Sequence, residues 1–91
     1  MELNPVQKMD FVNPNNEREL LNASIANVEE MLDELATGLH LAEDRQLTLI
    51  KTGDIKSSIY DDTKEAIEDL KREIHDNKIE LKRLRDLRAK I

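Results

Sequence analysis

The sequence predicts an all-α fold: an antiparallel helical hairpin of the coiled-coil type, assembled into a four-helix bundle or a higher oligomer. Three observations predict it. Apolar residues recur with an alternating step of four and three through two long segments, the seam period of paired helices. The segments are separated by one clear break, Thr52-Gly53-Asp54. Charged residues make up 37% of the chain and aromatic residues only 2%, the balance of long solvated helices around a narrow apolar stripe.

The chain divides into residues 1–15 and residues 16–91, with the turn near 52–57. In the first part, Asn4-Pro5 and Asn13-Pro14 each have the form of a helix start, an Asn cap followed by Pro at the first helical position. A short helix over about residues 5–11 would present Val6, Met9 and Phe11, which can fold back on the hairpin; a loose arm is the competing reading.

The first long helix starts between Asn13 and Asn16. Asn16 with Glu19 resembles a capping box, and Glu17 and Glu19 suit the positive end of the helix dipole. Gly38 lies inside it at a cost of about 1 kcal/mol against alanine, but the four-three register passes through it unbroken. Gly53 suits a left-handed helix stop. The second helix starts at Asp54, Ser57 or Ser58 and runs to the C-terminus.

The seam of the first helix runs through Leu21, Ile25, Val28, Leu32, Leu35, Leu39, Ala42, Gln46 and Leu49. That of the second contains Tyr60, Thr63, Ile67, Leu70, Ile74, Asn77, Leu81, Leu84, Arg88 and Ile91. Written as heptads, Ile25, Leu32 and Leu39 take position a, as do Ile67, Ile74 and Leu81. One fold-back then sets a against d in every layer: Leu39 with Leu70, Leu35 with Ile74, Leu32 with Asn77, Val28 with Leu81, Ile25 with Leu84. Gln46 and Thr63 fall in one layer and are expected to hydrogen-bond each other. At the flanking e positions, Glu43 is expected beside Lys64 and Glu29 beside Lys78. A parallel dimer of the second helix alone competes, but leaves the first helix and the turn unexplained.

Leu20, Met31, Leu41, Leu47, Ile50, Ile59, Ile79 and Leu87 lie outside the seam. Two helices bury one stripe each, so a lone hairpin is marginal. A second chain against the first helix would cover several of these residues. A homo-oligomer, with the dimer favoured, is therefore expected.

The sequence has no cysteine and two glycines, which excludes thiol chemistry, cysteine-ligated zinc and phosphate-cradling glycine loops. His40 and His75 fall at outer b positions; Glu43 and Asp44, one turn after His40, make a weak metal-like cluster. No catalytic residue, metal site or cofactor site is expected. Helical chorismate mutases have about this length but hold their dicarboxylate with helix-borne arginines, and no Arg or Lys lies between Arg18 and Arg45. The hairpin is similar in length and shape to secreted Trp-x-Gly hairpins and type III secretion needle subunits, without the tryptophan of the one or the proline-bounded turn of the other. Neither a secretory leader nor a membrane span is recognisable, so a cytoplasmic location is expected.

Charge is unevenly placed. Residues 1–50 carry ten acids and three bases, whereas residues 51–91 carry ten acids and eleven bases. Glu29, Glu30, Asp33 and Glu34 form an acidic candidate surface for a protein partner. Lys82, Arg83 and Lys90 form a basic one. The expected function is that of a small non-enzymatic protein-binding regulator or inhibitor. The alternatives are a scaffold, adaptor or assembly chaperone, and a nucleic-acid binder using the basic C-terminal stretch.

Overall fold

A computed structural model describes residues 14–91 of the chain, with side chains from Asn16 onward. The expected helix over residues 5–11 lies outside the described residues. Two helices form an antiparallel hairpin: α1 spans Pro14–Lys51 and α2 spans Ser58–Ala89. Proline at the first position of α1 loses no backbone bond, because the first N–H groups of a helix have no partner within it. At 38 residues, α1 is about 57 Å long, and it continues through Gly38.

The turn stops one helix and starts the next with local bonds. Gly53 takes a φ of 79°, open to a residue without a Cβ. Its N–H donates to the carbonyl of Ile50 and the Asp54 N–H to that of Leu49, at 3.1 and 2.8 Å. These two bonds form a Schellman closure, which satisfies carbonyls left over at the end of α1. The Thr52 hydroxyl donates to the Asp54 carboxylate at 2.7 Å. Of the three possible starts for α2, Ser57 is the cap: its Oγ accepts from the Tyr60 N–H at 3.1 Å.

The four-three stripe is the buried one. Every seam position from Leu21 to Leu49 and from Tyr60 to Arg88 is buried or half-buried. Ile25, Leu81 and Leu84 form the tightest part, with Leu21, Val28 and Leu32 packed against them. Nearer the turn, Thr63 and Ile67 are buried. Ile91 is the exception: α2 ends at Ala89, so the last seam residue has no helix to hold it and is exposed. No large side chain among the described residues is fully buried, as expected of a core with only two walls.

Three polar expectations are corrected. Thr63 does not bond Gln46; its hydroxyl donates to the Ile59 carbonyl at 2.7 Å, one turn back in its own helix. A short β-branched hydroxyl on a helix reaches that carbonyl more easily than a side chain across the seam. Asn77 behaves likewise, donating to the Glu73 carbonyl at 2.8 Å. Glu29 bonds Arg85 rather than Lys78, at 2.8 Å. Side chains lean toward the N-terminus of their own helix. In an antiparallel pair this carries Glu29 toward the base one heptad beyond Lys78. Glu43 is half-buried, and no ion pair with Lys64 forms among the described residues.

Candidate interaction surface

The two flanks of the seam differ. Antiparallel pairing sets the e positions of the helices side by side on one flank and the g positions on the other. The e flank is laced by charge. Arg85 bonds Glu29, and Arg88 donates to the Asn22 amide oxygen at 2.8 Å. Both ends of the Arg85–Glu29 pair are about half exposed, 51% and 49%, so it contributes about 0.2–1 kcal/mol and acts mainly on register.

The g flank carries apolar side chains that the hairpin does not cover. Leu20, Leu41 and Ile59 are 67%, 64% and 55% exposed, and Met31 and Leu87 lie open between them. Two grooves notch this flank at its ends. The one near the turn lies between Leu41 and Arg45 of α1 and Ile59, Asp62 and Ala66 of α2. The one at the open end lies between Glu17 and Leu20 of α1 and Leu87 of α2 with Lys90, the residue that caps α2. Each groove thus pairs an apolar floor with one acid and one base on opposite sides. Compared with protein-family models, curated proteins and solved structures, the chain matches none.

The acidic candidates do not form one patch. Glu29, Glu30, Asp33 and Glu34 are all exposed, but at e, f, b and c they spread around nearly half of the helix. Glu29 is engaged by Arg85. The basic candidates are largely neutralised where they stand. Lys82 bonds Asp86 at 3.0 Å, and Arg83 bonds Glu80 through two nitrogens at 2.6 and 2.9 Å. The Arg83 hydrogen bond holds the Glu80 carboxyl below the usual carboxylate range, and the same bond raises the Arg83 guanidinium. Lys90 lines the open-end groove facing Glu17.

His40 Nε2 stands 3.9 Å from Asp44, both exposed; among the described residues no three His, Asp or Glu side chains converge on a metal-sized site. No described helix is long and apolar enough to cross a membrane. The sequence offers Glu17 only as a helix-start residue, and gives Arg45 and Asp62 no place on a surface. The only signal pointing to them is that each occupies a g or c position next to an apolar residue left out of the seam.

Proposed function

We propose that this chain is a non-enzymatic protein-binding regulator or inhibitor, built as a self-associating coiled-coil hairpin that works through its helical surfaces. The single observation that carries this reading is the set of apolar residues left outside a seam that is already filled. Among the described residues ten large hydrophobic side chains remain 38–67% exposed, and five of them, Leu20, Met31, Leu41, Ile59 and Leu87, lie on the g flank. Single exposed apolar residues are ordinary; a row of them along one flank of a two-helix protein is the pattern of an interface.

Recognition through surfaces also fits the polar groups. The Glu80–Arg83 pair is an i,i+3 contact on the g flank of α2, with Glu80 half-buried, the kind that supports a helix. Lys82 and Arg83 are occupied by carboxylates of their own helix, which favours a protein partner over nucleic acid.

Light scattering at micromolar concentration tests the reading, with at least twice the 10.5 kDa chain mass expected. Converting Leu41 and Met31 to glutamate should then reduce the mass to that of one chain while far-UV circular dichroism stays helical. A mass that grows without limit with concentration would favour the alternative, an open-ended structural assembly.

A further inference from the structure

We propose that a second copy of this chain packs on the g flank with its α1 antiparallel to the first, about a two-fold axis at Met31. This rests on the reading of self-association above and adds the face, the direction and the register.

The side chains of α1 on this flank mirror each other about Met31. Leu20 and Leu41 lie eleven and ten residues away, Ser24 and Gly38 seven, and Glu17 and Arg45 fourteen. A two-fold at Met31 therefore sets leucine against leucine, glutamate against arginine, and two small residues together where the helices must approach closely. Isologous contacts need this self-complementarity, because each residue must fit its own image.

The grooves extend the match to α2. The rotation places the open-end groove of one copy over the turn-end groove of the other, α1 on α1 and α2 on α2. Glu17 then meets Arg45, and Lys90 comes within about one turn of Asp62, on the opposite helix pair. The other face-to-face two-fold, parallel to the helices, lays Glu34 against Glu73 and Asp76 of the second copy, like charge on like charge. The antiparallel arrangement instead sets Glu34 beside Asn27 and Glu73 beside Arg83, and it brings Asp76 level with Glu80, whose carboxylate Arg83 already engages.

The contact is also large enough. From Glu17 to Arg45 it is about 42 Å long at about 1.5 Å per residue, and two helices about 10 Å apart make it about 20 Å wide. That is about 800 Å² from each copy, the size of a standard stable interface.

The absence of cysteine gives a clean test. The Met31→Cys variant carries its only thiol on the axis and should oxidise to a disulfide dimer in high yield at micromolar concentration. The Leu47→Cys variant, with its thiol at a b position beyond the e flank, should not. Glu17→Arg or Arg45→Glu alone turns two symmetry-related attractions into repulsions and should raise the dimer Kd about tenfold. The double variant restores both pairs and should return the Kd to within about twofold. A dimer by light scattering that neither crosslinks in the Met31→Cys variant nor shows the charge-swap rescue overturns the register and leaves self-association standing. Preferential crosslinking of the Leu47→Cys variant overturns the face. A chain that stays monomeric overturns both, and leaves the g flank to a different protein.

Discussion

Replacing Gly38 with alanine should stabilise this hairpin, and the size of the gain follows from two local facts. Gly38 lies in the interior of α1, where glycine is about 1 kcal/mol worse than alanine because its backbone has more freedom to lose. A Cβ built at this position meets Leu70 Cδ2 at 3.7 Å and Cδ1 at 3.9 Å, an ordinary van der Waals contact. The new methyl therefore adds packing without displacing anything, a fraction of the roughly 0.8 kcal/mol of a buried methylene. The sum is about 1–1.5 kcal/mol. For a domain of this size each kcal/mol moves Tm by about 4–8 °C. Thermal melts by circular dichroism measure it, at several concentrations because assembly makes Tm concentration-dependent. Gly53→Ala is the matched control. Nothing stands within 4 Å of its Cβ, but a φ of 79° strains any side chain, so it should lose about 1–2 kcal/mol. A Gly38→Ala protein that melts lower at every concentration refutes the reasoning. A loss confined to high concentration places a second chain tightly against Gly38.

Asn77→Leu should raise Tm, because the amide bonds only the Glu73 carbonyl one turn back in its own helix, so its removal leaves no partner unpaired across the seam. Leucine at this half-buried position opposite Leu32 adds about 0.5–1.5 kcal/mol, and size-exclusion profiles should broaden as register control weakens. A double-mutant cycle on Glu29→Ala and Arg85→Ala should give a coupling of about 0.2–1 kcal/mol that falls with added salt, whereas Glu29 and Lys78 should show none. By NMR titration the Glu80 carboxyl should titrate below the ordinary glutamate range and move back up in Arg83→Gln. Because the folded pKa is the lower one, the small stabilisation it brings is present above the ordinary carboxylate pKa and is lost as pH falls through the depressed value.

The seam was legible because it depends only on spacing. Ile25, Val28, Leu32, Leu81 and Leu84 recur at the period that keeps one face of a helix toward a partner, and a glycine stop joins the two segments that carry it. The turn was legible for a similar reason: only a residue without a Cβ takes the conformation of Gly53 at no cost. The polar pairings were less so. Thr63 and Asn77 have the choice of a partner across the seam or a carbonyl one turn back, and the sequence does not rank a bond within the helix against one between helices.

What the sequence alone determined is the element type, the break and the buried stripe, because periodicity, glycine chemistry and side-chain polarity are local properties. What only the tertiary structure decided is which charges bridge the two helices on the e flank and which share grooves on the g flank. Glu29 reaches Arg85 rather than Lys78 because two antiparallel helices lean their side chains in opposite directions. Glu17 with Lys90, and Arg45 with Asp62, come to share grooves because the fold-back brings residues far apart in the chain to the same level. Those relations depend on the relative placement of two rigid rods. Neighbours in the sequence carry no record of it.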